Sequence, residues 1–571
     1  MDNKKRKNIE PTVVPLQNPS KKIKITNMIA PSRLKNYILN DPLIDYLEYY
    51  KINNITDEPR RKRANSIAND EFEEFIKVKG VDFEKKVMTK YPNAFHTVEG
   101  PISLTSFNET VKALKNNIPI IYQGVLYDVE NSTYGCADLI IRGDYLNLMY
   151  NQIVEPNFYY IVDIKYSTVK LSSDQKYILN SDFVPVYKSQ IWIYTNALNK
   201  ILDQNVTKGF ILGKQYQWTV STIKNSYNNE NFDRIAEVDF EGVDKKYKQL
   251  VIDAVKWVLK LRSEGIQWRL LPKPSVPELY PNMSNNRDGK WRGLKKQLAN
   301  EIKELTNIVY VTHEHRANAF KHNIFSYDNE LCNSNILGIK GDRGVLIDKI
   351  LNINNSEDSI NPILITTTIN NWRKSEEQQM EFYLDYETVN DFESNNFIFM
   401  IGVGYKINNW LFKCFITKNK ELDSQKDMYN NFWEYINQIL REHNKLEAVF
   451  IHWTSAEPSF YNKFQKLFNL PIKKFMDLNK VFLAEPIVIR GAFNYSLKTI
   501  AKCMFNHGLI KTIWPDESSC NNGQDALVLA NKLYIESNKD LELTDMNDIV
   551  YYNEIDCKVL CDILEYLRLN H

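Results

Sequence analysis

The sequence predicts an α/β chain in which two separate α/β regions flank a helical segment, and three observations carry that prediction. Short apolar β-rich runs alternate with helix-period stretches over residues 117–261 and again from 376 to the end. Pro272, Pro274, Pro277 and Pro281 stand within ten residues between these regions, which excludes a regular helix there. At 571 residues the chain is too long for one domain, since ~150 residues per domain gives roughly three to four units. The expected boundaries are a basic flexible tail over 1–27, a first α/β domain over 28–265, a Pro-rich linker with a helical segment over 266–375, and a second α/β domain over 376–571.

Composition narrows the function classes. Hydrophobic residues at 43% and charged residues at 25% fit a globular chain, and no apolar run approaches the ~18 residues a membrane helix needs. The first residues are charged where a signal peptide would be apolar, so an intracellular protein, nuclear or cytoplasmic, is expected. Seven scattered cysteines without a Cys-x-x-Cys pair argue against a disulfide framework, a zinc ribbon and most iron-sulfur sites. No Gly-x-x-x-x-Gly-Lys-Ser/Thr is present, so no ATP-driven motor is expected. Net charge is only +1, so a nucleic-acid partner must be argued from sites. The basic clusters at 4–7 and 21–24 read either as a nuclear signal or as a solvated tail. Abundant Asn, Ile, Lys and Tyr suggest an AT-rich coding genome, as in a large DNA virus or a protist.

Along the chain, a helix-like stretch through Leu43, Tyr46 and Leu47 precedes the charged segment Arg60–Arg63. A second helix then carries Phe75, Val78, Phe83 and Val87 at helical spacing. Strands are expected at Ile118–Ile121, Ala137–Ile141, Tyr159–Ile164 and Phe210–Leu212, and a helix at Leu250–Leu261. Leu337-Gly338-Ile339-Lys340-Gly341 precedes another helix. It reads either as a plain capping turn or as a glycine hairpin offering backbone N–H groups, with Lys340, to a phosphate, as helix-hairpin-helix modules do. His313, His315 and His322 lack a carboxylate or cysteine at ligand spacing and are read as surface histidines. In the last region a strand at Phe382–Leu384 is followed by a hairpin of Phe397–Tyr405 and Leu411–Ile416. A strand at Val449–Trp453 comes next, and the chain ends on an amphipathic helix through Ile555, Val559, Ile563 and Leu567.

Two acidic constellations stand on these elements. In the first, an apolar strand ends in Asp163-Ile164-Lys165, and period two puts Asp163 and Lys165 on one face. Asp138 opens the strand before it, Glu84 sits on the second helix, and Gln190 and Tyr194 share one helix face. Hydrolysing a phosphodiester needs divalent cations on hard oxygen ligands, an activated water, and positive charge where the transition state gathers negative charge. Glu84, Asp138 and Asp163 would hold Mg²⁺ or Mn²⁺. Lys165 would orient or help deprotonate the water, and Gln190 and Tyr194 would contact the substrate or the lysine. About nine acid-x-base triplets are expected by chance from 71 acids and 72 bases, so the weight lies in order and context. The series Gly-x-x-x-Glu, Gly-x-x-Asp, Asp-x-Lys and Gln-x-x-x-Tyr resembles the RecB-like branch of the PD-(D/E)XK nucleases. The resemblance covers about residues 31–262, including Pro31-Ser32-Arg33-Leu34 near Asp41-Pro42-Leu43. Relatives with an iron-sulfur cluster use four cysteines that are missing here, so no cluster is expected.

In the second constellation an apolar strand delivers Asp385 and Glu387 to one face, where two carboxylates repel unless cations lie between them. Tyr552 and Asp556 share a face of the final helix. The order of Asp-x-Glu, His452-Trp453 with Glu457, Met476-Asp477-Leu478, Asn494 to Lys498, and Tyr552-Asn553-x-x-Asp556-Cys557 resembles the DEDD exonucleases of ribonuclease-H fold, most closely the YprB-like branch. The resemblance implies that Asp385, Glu387 and Asp556 bind two metals ~4 Å apart and that Tyr552 holds the attacking water. Glu457 stands where such enzymes generally have aspartate, with Asp477 as a substitute fourth ligand. Lys498 is either a phosphate contact or a surface lysine. Together the resemblances imply a PD-(D/E)XK domain, a helical linker and a ribonuclease-H-like domain with a mixed sheet. The implied activity is a Mg²⁺- or Mn²⁺-dependent DNA nuclease, with a 3′-5′ exonuclease-like second centre, in repair, recombination or replication-end processing. The alternatives are an RNA exonuclease and a catalytically silent nucleic-acid-binding scaffold.

Overall fold

The computed structural model describes residues 28–59, 71–91, 95–361, 372–373, 376–389, 397–484, 486–515, 520, 523–536 and 540–571. The basic tail over 1–27 and the segment Arg60–Arg63 lie outside them. The chain is a mixed α/β protein that divides into two compact units, Met1–Ile302 and Lys303–His571. The segment expected as a linker over 266–375 is therefore shared. Its first part packs into unit 1, where Trp268 stacks on Trp257 and accepts at its carbonyl from the Tyr46 hydroxyl at 2.8 Å.

Unit 1 is built around a seven-stranded sheet. Its strands are β1 (Phe95–Thr97), β2 (Ile120–Asp128), β3 (Thr133–Arg142), β4 (Tyr159–Lys170), β5 (Lys208–Val220), β6 (Ile223–Asn228) and β7 (Ala236–Asp239). Their order is β1-β2-β3-β4-β5-β6, with β7 also on β5. The central β2-β3-β4 run is antiparallel, and β5 joins β4 in parallel. Each strand proves longer than its apolar run, because polar residues beyond the run are carried by backbone pairing with a neighbour. The clearest case is β4, whose Thr168-Val169-Lys170 pairs with Gln215-Tyr216-Gln217 past a register shift. The helices are α1 (Lys35–Ile38), α2 (Leu43–Tyr50), α3 (Glu71–Met88), α4 (Leu104–Lys115), α5 (Gly143–Tyr150), α6 (Val184–Leu202), α7 (Lys246–Glu264) and α8 (Arg292–Glu301). In α2, Leu43, Tyr46 and Leu47 are buried as expected. In α3, Phe83 and Val87 are buried but Val78 is 51% exposed.

Unit 2 opens with α9 (His313–Lys321), α10 (Ser334–Leu337) and α11 (Gly341–Asn354), then β8 (Ile360–Asn361). The ring of His315 accepts from the Thr312 backbone N–H at 3.0 Å, which makes that histidine a helix cap. Gly338, at φ +79°, ends α10 in the left-handed conformation, and Lys340 is exposed just before α11. A five-stranded sheet follows, made of β9 (Gln379–Val389), β10 (Phe397–Lys406), β11 (Trp410–Ile416), β12 (Glu447–His452) and β13 (Lys474–Asp477) in the order β11-β10-β9-β12-β13. The first three are antiparallel, and β12 and β13 add in parallel. β14 (Val488–Ile489) pairs with β8. The remaining helices are α12 (Leu422–Glu442), α13 (Ala456–Phe468), α14 (Leu478–Ala484), α15 (Leu497–Asn506), α16 (Gly523–Glu536) and α17 (Asn547–Asn570). Strand alternation sorts β9 into two layers. Phe382, Leu384 and Tyr386 enter one core with Phe432 and Ile436 of α12, while Tyr383 joins Ile555, Val559 and Ile563 of α17. Asp385 and Glu387 therefore face α17.

Candidate metal centres

In unit 2, one ligand oxygen from each of Asp385, Glu387 and Asp556 lies within 4.8 Å of the others. Strand period two supplies the first pair, and the close seating of α17 on β9 and β10 supplies the third. That seating depends on Gly402, paired with Asp385 across the ladder, where a Cβ would fall 1.5 Å from Asn553 Oδ1. Asn553 in turn donates to Asp385 Oδ2 at 2.7 Å. Replacing Gly402→Ala is expected to cost roughly 1–3 kcal/mol through overpacking and to pull Asn553 off the carboxylate. A lowered thermal midpoint is the result to look for. An unchanged midpoint would show that α17 can retreat freely.

Burial together with like charge shapes the titration of this cluster. Burial first, then Asp556, pushes Glu387 up to about 8. Burial also carries Asp556 to about 7, against the pull of Lys498, and Asp385 rises well above the carboxylate range for the same reasons. The Tyr552 hydroxyl is raised too, by burial and then by Asp556 and Glu387, so it stays protonated. Lys498 is no surface lysine: its Nζ lies 4.4 Å above the Tyr552 ring. Burial lowers its ammonium pKa, while Asp556 and Glu387 pull it back up. Glu457 lies outside the three-carboxylate group yet raises all three, and its Oε2 sits 3.3 Å from His452 Nδ1 with neither atom in line for a hydrogen bond. Asp477 serves a different purpose. Its Oδ1 accepts from the backbone N–H groups of Thr454 and Asn479, both at 3.0 Å, which ties β13 to neighbouring turns. Glu457 is thus the acid electrostatically joined to the cluster.

A pH dependence follows. Unfolded carboxyls titrate near pH ~4. Between about pH 4 and pH 8 the folded, metal-free protein keeps protons on Glu387 and Asp556 that the unfolded chain releases, so their contribution to stability is lost as pH rises through that window. A divalent cation bound here would replace those protons. The Mn²⁺-induced rise in thermal midpoint should therefore be larger at pH 8 than at pH 5.5, and most of the difference should vanish in Glu387→Gln. A rise independent of pH would contradict the arrangement.

In unit 1 the expected residues gather in a looser way. Asp163, 0% exposed, receives the Lys165 ammonium 2.7 Å from Oδ2, and the same Nζ lies 3.7 Å from Asp138 Oδ2. Asp138 also accepts the Ile164 backbone N–H at 2.8 Å. Glu84 accepts from Gln123 and is raised by burial and by Asp138. Glu84, Asp138 and Asp163 do not bring ligand oxygens within 4.8 Å of one another. Lys165 stands between the two aspartates instead. Burial alone would lower that ammonium, but Asp163 and Asp138 outweigh it and hold it above its usual value. Burial lifts Asp163 to about 8 despite Lys165, and neither of its oxygens has a donor in line for a hydrogen bond. Gln190 donates to the Tyr194 hydroxyl at 3.2 Å, and Tyr194 packs over Gly135, where a Cβ would meet its ring at 2.7 Å. Tyr194 is buried and so buttresses the site from behind.

Sequence reasoning assigned no role to Asn553, Gln123, His452 or Tyr187. Tyr187 is a ring 5.4 Å from the Lys165 ammonium. Asn553 carried a usable signal, being three residues before Asp556 and hence on nearly the same helix face. In unit 2 three hard carboxylate oxygens lie close together beside the buried Glu457 Oε2, a donor set of the kind Mg²⁺ or Mn²⁺ takes, whereas in unit 1 the Lys165 ammonium occupies Asp163 Oδ2. No helix among the described residues is long and apolar enough to cross a membrane. No family model matches the chain, and no curated protein matches it either.

Proposed function

We propose that the chain is a divalent-cation-dependent nuclease with two hydrolytic centres, a RecB-like one in unit 1 and a 3′-5′ exonuclease-like one in unit 2, acting on DNA. The observation that carries this reading is the Asp385, Glu387 and Asp556 cluster, three carboxylates held together at a cost that only protons or cations offset. The strand orders add support. An antiparallel β2-β3-β4 run with β5 parallel to β4 suits the PD-(D/E)XK arrangement, and β11-β10-β9-β12-β13 suits the ribonuclease-H one.

Glu387, Asp385 and Asp556, with Glu457 at the edge, would hold the ions in unit 2, and Glu84, Asp138 and Asp163 those in unit 1. When bound, such ions supply an activated water and offset phosphate charge. The chain's own groups do the rest. Tyr552, kept protonated beside Asp556, can fix a water through its hydroxyl, and Lys498 sets a positive charge where a phosphate would lie over Tyr552. Lys165, held as an ammonium, acts by charge on the developing phosphorane more readily than as a base. Gln190 is half-buried and held by Tyr194, which leaves it the better placed of the two to meet substrate.

The test uses purified full chain, Mn²⁺ or Mg²⁺, and labelled DNA and RNA of one sequence, single- and double-stranded. Cleavage should appear and should fall separately in Asp163→Ala and Asp385→Ala. Cleavage confined to RNA would reassign the substrate. Tight binding without cleavage under any divalent ion would make the chain a scaffold.

A further inference from the structure

Beyond Lys165, β4, β5 and β6 continue as a sheet extension that the catalytic chemistry does not use. Pairing register puts Asp163 and Lys165 on the same face as Ile211 and Gly213. Past the register shift that face continues through Thr168, Gln215, Gln217 and Thr219 to Asn228, Ser226 and Lys224. A side-chain ladder links the row. Thr168 Oγ1 donates to Gln215 Oε1 at 3.1 Å, Gln217 Nε2 donates to the same oxygen at 3.0 Å, and Gln215 Nε2 donates to Asn228 Oδ1 at 2.7 Å. Outward from Gln215 the row lies open: Gln217, Thr219, Lys224, Ser226 and Asn228 are all exposed. The reverse face is braced by Arg234, whose guanidinium lies 5.0 Å from the Tyr216 ring, 5.2 Å from Trp218 and 5.6 Å from Tyr227.

Charge singles the extension out. Residues 165–173 and 213–229 contain Lys165, Lys170, Lys214 and Lys224 and no acid, whereas the chain average would place roughly three acids in that many positions. Strand alternation puts Lys170, paired with Gln217, and Lys224, paired with Thr219, on the same face as Lys165, while Lys214 falls on the reverse face with Tyr216 and Trp218; Lys170 Nζ lies 3.7 Å from Asp182 Oδ2. A row of amides and hydroxyls flanked by lysines suits sugar and phosphate oxygens.

Resting on the nuclease reading, we propose that this face of the β4-β5-β6 extension is the track along which a nucleic-acid strand is led into the unit 1 centre. Lys170 and Lys224 would contact phosphates, and Gln217, Ser226 and Asn228 would contact the sugar-phosphate backbone without reading sequence.

The experiment measures binding of a fluorescein-labelled 20-nucleotide DNA strand, in Mg²⁺, to full chain carrying Asp163→Asn and Asp385→Asn to prevent cleavage. Adding Lys170→Glu and Lys224→Glu should weaken binding at least tenfold. It should also make the slope of log K against log salt shallower by about 1.4, the value for two single-strand phosphate contacts. In parallel, hydrogen exchange across residues 213–229 should slow when the strand is added. Gln217→Ala with Ser226→Ala, which leaves charge intact, should weaken binding severalfold and guards against a folding artefact in the charge reversals. If the parent binds but both variants bind equally well and 213–229 gains no protection, the track is wrong while the nuclease reading stands. If the charge reversals alter only self-association, the β6 edge pairs with protein and the track is again overturned. If the parent binds no nucleic acid at all, the nuclease reading falls with it.

Discussion

Asp385→Ala, made in an Asp163→Ala background so that only the second centre is read, should lower phosphodiester hydrolysis by on the order of 10³-fold. The loss is expected to be large because Asp385 occupies the middle of the cluster: it shares the ligand group with Glu387 and Asp556 and is fixed by Asn553. The same site predicts an opposite effect on stability. In metal-free protein burial and the neighbouring acids keep Asp385 from ionising as freely as it does in the unfolded chain, so Asp385→Asn, which removes that cost and keeps the shape, should stabilise unit 2 by about 0.5–2 kcal/mol while abolishing activity. Calorimetry in chelator, beside the cleavage assay and Mn²⁺ titration, reads both effects. An Asp385→Asn protein that is less stable than wild type without metal would show that the cluster is not under electrostatic strain, and the metal-centre reading would lose its main support.

Lys295→Met should be the most destabilising single change in unit 1. Lys295 is fully buried and donates to Asp41, to Asp288 Oδ2 at 2.7 Å and to the carbonyl of Asn282 at 3.0 Å. Burial raises Asp41, and Lys295 is the chief group opposing that rise. Removing the ammonium leaves Asp41 buried without a counter-ion and leaves Asp288 with the Arg292 guanidinium at 3.1 Å, at a cost of about 3–5 kcal/mol, or roughly 6–20 °C in thermal midpoint for a unit of this size. The triple change Lys295→Met, Asp41→Asn, Asp288→Asn should recover at least half of that loss, because neutral side chains need no counter-ion. A single-variant cost under ~1 kcal/mol would mean that water already reaches the group. This ion-pair network is what joins the segment after the proline cluster to the first helices, which moves the division between units to residue 302 from the expected 265.

Much of each site was legible because strand and helix periods are local. Alternation alone placed Asp163 with Lys165 and Asp385 with Glu387, and the four-residue helix step placed Tyr552 with Asp556. Apolar runs likewise located the strands and the final helix, since burying a face demands that pattern. What local periodicity does not contain is pairing and distance. The polar ends of β4 and β5 and the strand β6 exist because backbone ladders hold them, not because their side chains seek a core. Likewise Lys498 was brought over Tyr552, Glu457 rather than Asp477 was joined to the acidic cluster, and Lys165 was set between Asp138 and Asp163, all by long-range packing. Residue types and their order thus determined which ionisable groups stand on which strand and helix faces. The tertiary structure decided which of those groups meet, because electrostatic coupling and steric access depend on separations of a few ångströms between segments far apart in sequence.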